Sequence, residues 1–117
     1  MKHYIFLAIL LGSLVVLAED KATLNKTIDH RIATVESSKC TFVRNGSDHT
    51  PKEAAEHMRK KYDYYKKEIK TPADFIEKCA TKSELSGKPY FVKFPDGKTV
   101  KCKDWLDEEL KKYQQGS

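Results

Sequence analysis

The sequence predicts an α+β fold: a small antiparallel sheet, made of a hairpin over residues 90–101 and a strand over 40–44, packed by three to four helices. Three observations carry this. Thr50-Pro51 and Thr71-Pro72 are each followed by an acidic residue two positions on, which is the start signal of a capped helix. Leu24, Ile28, Ile32 and Val35 recur at helical spacing and stack on one face. Tyr90–Phe94 and Lys98–Lys101 flank Pro95-Asp96-Gly97, a strong turn between two strand-like runs.

The elements follow in order. Lys2 and His3 open the chain with positive charge, and Ile5–Leu17 is an apolar run of about 13 residues, whereas a bilayer span needs roughly 20. Val16 and Ala18 are small residues where signal peptidase cuts, so residues 1–18 read as a secretory signal cleaved after Ala18, with a retained anchor as the alternative. Residues 19–113 form a single domain, and 114–117 a frayed tail. A first helix covers 19–38, then Cys40–Arg44 is a β-branched and aromatic strand ending at the Asn45-Gly46 turn. The helix from Pro51 carries Ala54, Ala55, Met58, Tyr62, Tyr65 and Ile69 on one stripe and runs to about Lys70. A shorter helix from Pro72 turns Phe75, Ile76, Cys79 and Ala80 inward, and Ser86-Gly87 leads into the hairpin. Asp104 caps a last helix with Trp105, Leu106, Leu110 and Tyr113 toward the core.

Composition bounds the function. The 117 residues carry 22 Lys+Arg against 17 Asp+Glu, a net charge of +5, and loss of residues 1–18 removes only Lys2 among the charged residues. The charges are interspersed. The densest basic piece, Arg59-Lys60-Lys61 with Lys66-Lys67 beyond it, is either a solvated helix face or an attraction to anionic lipid headgroups, cell-wall polymers or an acidic protein. No nucleic-acid-binding motif is visible, so nucleic acid is not an expected partner. The three cysteines, Cys40, Cys79 and Cys102, allow three single pairings and leave one thiol over. Cys40–Cys102 is the favoured pair because both flank strands, while Cys79 sits on an apolar helix face as a small hydrophobe.

Candidate chemistry is sparse. His49, Glu53 and His57, spaced by four and four with Asp48 close by, could hold a divalent metal, but Glu53 is also claimed by the capping box and His49 precedes the cap. Ser83, Ser86 and Lys88 do not match a serine–lysine nucleophile pattern, and Ser86-Gly87-Lys88 lacks the upstream glycine of a phosphate loop. A Cys40 nucleophile with His49 or His57 would be oxidised in an exported chain. Arg44, Asn45, Asp48, His49 and Lys88 gather around two turns; if the 40–44 and 90–94 strands pair, those turns meet in a shallow polar site, unless the same residues serve loop backbone groups. With Glu53 and His57 these are the candidate site residues, and no cofactor is expected.

Cys40–Gly46, His49, Glu53-Ala54-Ala55, His57, Lys61, Phe75-Ile76 and Ser86-Gly87-Lys88-Pro89-Tyr90 together resemble the YfeK-like family of small secreted bacterial proteins. The resemblance spans residues 24–110 and implies a proteobacterial envelope protein exported by a signal peptide, with no activity implied. Cys79 and Lys82 depart from the family's pattern, so a bridge through Cys79 would be peculiar to this chain.

The expected function is a non-enzymatic binding or accessory module of the bacterial envelope, periplasmic or secreted, with an envelope protein or an anionic cell-wall or lipid component as partner. It would touch a membrane only if residues 1–18 stayed attached. The alternative is a small cell-wall-acting enzyme using His49, Glu53 and His57, with or without a metal.

Overall fold

A computed structural model describes residues 20–116. The expected signal segment, its cleavage point and Ser117 lie outside the described residues. The chain folds as helix α1 (Lys21–Ser37), strands β1 (Thr41–Arg44) and β2 (Ser47–His49), helix α2 (Pro51–Tyr65), helix α3 (Pro72–Cys79), strands β3 (Phe91–Lys93) and β4 (Thr99–Lys101), and helix α4 (Cys102–Gly116). It is the α+β class that the sequence predicts, with one strand more.

That additional strand is β2. Asn45 and Gly46 both take positive φ, 53° and 77°, and so close a two-residue hairpin that folds Ser47–His49 back onto β1. The sheet order is β2-β1-β3-β4, antiparallel throughout. In register, Phe42 faces His49 on one side and Val92 on the other, and Val92 faces Val100. Directly opposed residues share a face, and residues two apart along a strand share it too. Arg44, Phe42, His49 and Val92 therefore look toward the helices, whereas Val43, Asp48, Phe91 and Lys93 look away.

The helix starts form as predicted. Thr50 and Thr71 accept from the backbone N–H groups of Glu53 and Asp74, both at 3.1 Å, and the two carboxylates return the bond to the threonine N–H groups. Asp20 caps α1 by accepting from the Thr23 N–H at 2.9 Å. Two boundaries differ from expectation. Helix α2 ends at Tyr65 and tightens into a 3-10 turn over Lys66–Glu68 before reaching Lys70, which still turns Ile69 into the core. Helix α4 starts at Cys102, directly off β4, so Asp104 lies inside its first turn and is not its cap.

The core joins the α1 stripe (Leu24, Ile28, Ile32, Val35) to Ala54, Ala55, Met58 and Tyr62 of α2, Phe75, Ile76 and Cys79 of α3, Phe42 and Val92 of the sheet, and Leu106 of α4. Each fully buried Val, Leu, Ile, Phe or Met side chain among these contributes roughly 1.5–3 kcal/mol. Tyr62 lies edge-on to Phe75 at 6.1 Å and donates to Asn25 Oδ1 at 2.7 Å, tying α2 to both α3 and α1. Cys40, Cys79 and Cys102 are all buried free thiols, so the Cys40–Cys102 bridge expected from sequence is not formed in this structure. Burial pushes the Cys79 and Cys102 thiols up to about 12 and raises Cys40 as well.

Candidate functional site

The residues of greatest chemical interest meet where the β1–β2 hairpin, the middle of α2 and the loop leading to β3 converge. Arg44 and His49 reach this point from the inner face of the sheet, as the register requires. His57 and Lys61 stand one turn apart on α2 and face the same way. Tyr90 closes the site from the residue before β3, held by its N–H to the Thr81 carbonyl at 3.0 Å and by its carbonyl, which accepts from the Cys102 N–H at 2.9 Å.

The inner recess, bounded by Arg44, His49, His57, Met58 and Tyr90, measures about 20 Å³, room for one water-sized group. It adjoins an open groove of about 350 Å³ bordered by Arg44, Lys60, Lys61, Tyr64, Leu85 and Tyr90. A groove of that size is comparable to small-ligand sites.

A short polar chain runs through the cleft. Lys61 Nζ donates to Tyr90 Oη at 3.3 Å and to the Lys82 carbonyl at 3.2 Å, with the Glu84 carboxylate 3.7 Å away. His57 Nε2 lies 3.3 Å from the same Tyr90 Oη. Burial, then the positive charges of Arg44 and Lys61, push the His57 ring down to about 4, so it is neutral at pH 7. Because Lys61 can only donate, Tyr90 accepts from it, and the ring tautomer of His57 sets which partner donates between Nε2 and the phenol. Burial also lowers Lys61 and raises Tyr90, although Glu84 counters the first and Arg44 the second.

The wall beside Arg44 is built by Asn45. Its Nδ2 donates to Ser83 Oγ at 3.2 Å, and its Oδ1 accepts from Ser86 Oγ. The hairpin turn is thereby tied to a loop 38 to 41 residues further along the chain.

Of the candidates named from sequence, Arg44, Asn45, His49 and His57 come together here. Asp48 does not: the register turns it to the outer face, where it pairs with Lys93 at 3.6 Å. Glu53 serves the α2 cap, and that backbone bond holds its carboxyl below the usual range; His49 Nδ1 approaches it only to 3.9 Å. Among the described residues no three His, Cys, Asp or Glu side chains converge as a metal site. Lys88 is exposed and contributes backbone groups to its loop, its N–H donating to Ser86 Oγ at 3.2 Å and its carbonyl accepting from Ser83 N–H at 3.0 Å. Lys61, Tyr90 and Glu84 were not among the candidate site residues, and Ser83 was weighed only as part of a serine–lysine pair. The four-residue spacing of His57 and Lys61, with the place of Lys61 in the Arg59-Lys60-Lys61 run, was the available signal for adding Lys61.

These features define a small α+β domain with a cationic, tyrosine-walled cleft at the meeting of a hairpin and a helix. Residues 22–114 match the family of unknown function DUF5329, and the chain belongs to that family. It is 39% identical over 73 residues to the uncharacterized protein YfeK of Salmonella typhimurium, a match covering 62% of this chain and 58% of the relative. The chain thus spans less than two thirds of the length of that relative. No solved structure matches it. No helix among the described residues is long and apolar enough to cross a membrane.

Proposed function

We infer that this protein is an exported, non-enzymatic binding module of the bacterial envelope, and that its cleft receives an anionic group of an envelope partner. One observation carries the reading. Arg44, which also bounds the inner recess, and Lys61 both border the adjoining groove, where His57 is a neutral wall and Glu84 is the carboxylate that answers Lys61. Positive charge at a recess of low polarity attracts anions more strongly than the same charge in open water. The apolar run at residues 5–17 supports export, and the net charge of +5 suits an anionic partner.

The catalytic alternative has less support. A ring with its titration near 4 is a weak general base at neutral pH. Glu53 is engaged by the helix start, and His49 reaches it at 3.9 Å only.

The test is an NMR titration of the His57 ring with inorganic phosphate and glycerol phosphate. An anion entering between Arg44 and Lys61 raises the ring's titration point, and Arg44→Gln abolishes the rise. An unmoved ring, or hydrolysis of muropeptides by the purified protein, overturns the reading. The mass of the protein recovered after export checks removal of residues 1–18.

A further inference from the structure

Among the described residues two large apolar side chains stand in solvent, Leu85 at 97% exposure and Tyr64 at 81%. Both border the groove that holds Arg44, Lys60 and Lys61. Exposed apolar residues scattered singly carry little meaning, but here two fall together beside a cluster of cations.

Leu85 sits on a loop that is held firmly. Gly87 N–H donates to the Ser83 carbonyl at 2.8 Å and Ser83 N–H to the Lys88 carbonyl at 3.0 Å. The Ser83 hydroxyl, itself buried, accepts from Asn45 Nδ2 at 3.2 Å and from Ser86 N–H at 3.4 Å. These bonds are made by backbone and small polar side chains. The leucine at the apex adds nothing to them, since its own side chain meets water almost everywhere. Tyr64 rises from α2 with Lys60 one turn before it and Lys67 one turn after, both exposed. Its ring rests edge-on against Tyr65 at 4.8 Å. Lys82 and Lys88, also exposed, flank Leu85 on the loop.

We propose that this rim docks on an anionic phospholipid surface, with one headgroup phosphate between Arg44 and Lys61, and with Leu85 and Tyr64 in the interfacial layer. The proposal rests on the anion-cleft reading above and names its ligand. Charge complementarity favours lipid: Arg44, Lys60, Lys61, Lys67, Lys82 and Lys88 outnumber the nearby carboxylates Asp63 and Glu84, an excess of the kind that a negatively charged leaflet attracts. Tyrosine has an amphipathic ring that prefers the headgroup level, and a single leucine tip suits shallow insertion. Two tips fall well short of the roughly 800 Å² per partner that a stable protein interface takes. The inner recess of about 20 Å³ admits a phosphate oxygen and excludes a whole side chain.

The experiment uses the full chain with vesicles of phosphatidylcholine alone or with phosphatidylglycerol. The apolar run at residues 5–17 partitions into either, so the readout is the ratio of binding to the two compositions. The expected ratio exceeds tenfold, and Arg44→Gln and Lys60→Gln each reduce it by about fivefold. Leu85→Trp in a Trp105→Phe background supplies a readout local to the rim: its emission shifts to the blue on phosphatidylglycerol vesicles. A ratio near one, or unshifted Leu85→Trp emission on vesicles that carry the protein, overturns the proposal. A blue shift produced by envelope protein and not by vesicles overturns it in favour of a protein partner. If glycerol phosphate moves the His57 ring while the vesicle ratio stays near one, the membrane proposal falls and the cleft reading stands.

Discussion

The Lys61 ammonium donates to the Tyr90 hydroxyl at 3.3 Å while standing 5.3 Å from the centroid of the same ring. One cation thus engages both the oxygen and the π-face of one tyrosine. The arrangement fixes the side chain that also meets His57, so the phenol is the joint of the cleft. Tyr90→Phe keeps the ring and removes the joint. It leaves Lys61 with one acceptor fewer and His57 Nε2 without its phenol partner, and is expected to lower stability by about 1–2 kcal/mol in urea unfolding. A loss indistinguishable from zero would mean that water replaces the phenol in both bonds.

His57 makes the protein's stability pH-dependent in a definite direction. Burial first, then Arg44 and Lys61, hold the folded ring near 4, whereas the unfolded ring titrates near 6.5. Between those values the unfolded chain binds more protons than the folded one. The contribution is therefore fully present above about pH 6.5 and is lost as pH falls toward 4. Because the ring is partly open to water, about 2 kcal/mol is a fair size for it. Carboxylates titrate in the same range, so the comparison is between the chain and His57→Gln. The variant should show the shallower acid slope, and parallel slopes would assign the acid sensitivity elsewhere.

Asn45 carries two loads, a left-handed backbone at φ 53° and the side-chain bonds to Ser83 and Ser86. Asn45→Gly keeps the first and removes the second. The expected cost is about 1–2 kcal/mol, with faster amide exchange over residues 83–88. Unchanged exchange there would show that the loop holds itself without the hairpin.

Thr50→Ala tests which duty Glu53 performs. Losing the cap should cost about 1 kcal/mol by thermal or urea unfolding. A melting temperature that rises on adding zinc would show instead that Glu53 leaves the cap to join His49 and His57 as a ligand.

Much of this fold could be read from the sequence where the cause is local. Thr50-Pro51 and Thr71-Pro72 announced their helices because a cap and a fixed proline φ act within one turn. The α1 stripe was visible through its spacing. Ser47-Asp48-His49 gave no such sign: it is polar, it has no β-branched residue, and only the positive φ values of Asn45 and Gly46 fold it into a strand. The same limit governed the site. Arg44, Asn45, His49 and His57 were legible because they flank a turn and a helix start. Asp48 was misplaced because its face depends on the register of β2. The placement of Tyr90 and Ser83 in the cleft follows from contacts with residues about 30 to 40 positions away, which no window along the chain contains.

Arg31 presents a different case. It is 0% exposed, its three guanidinium nitrogens have no hydrogen-bond partner among the described residues, and its charge lies 5.5 Å from the Tyr113 ring centroid. Burial lowers its affinity for its proton, against the pull of Glu109. Arg31→Met keeps the volume and removes the desolvated charge, so it should raise stability by about 1–3 kcal/mol. A destabilised Arg31→Met would indicate that the guanidinium has a binding duty worth its burial.

The sulfhydryls carry a practical consequence. With two of them near 12 and all three enclosed, the thiolate that alkylating reagents attack is scarce in the native chain. Their labelling rate then records how often each layer of the domain opens: Cys40 reports the entry to the sheet, Cys79 the α3 helix, and Cys102 the junction of β4 with α4. Three clocks placed in three parts of a small domain would show whether the cleft breathes on its own or only when the whole molecule comes apart.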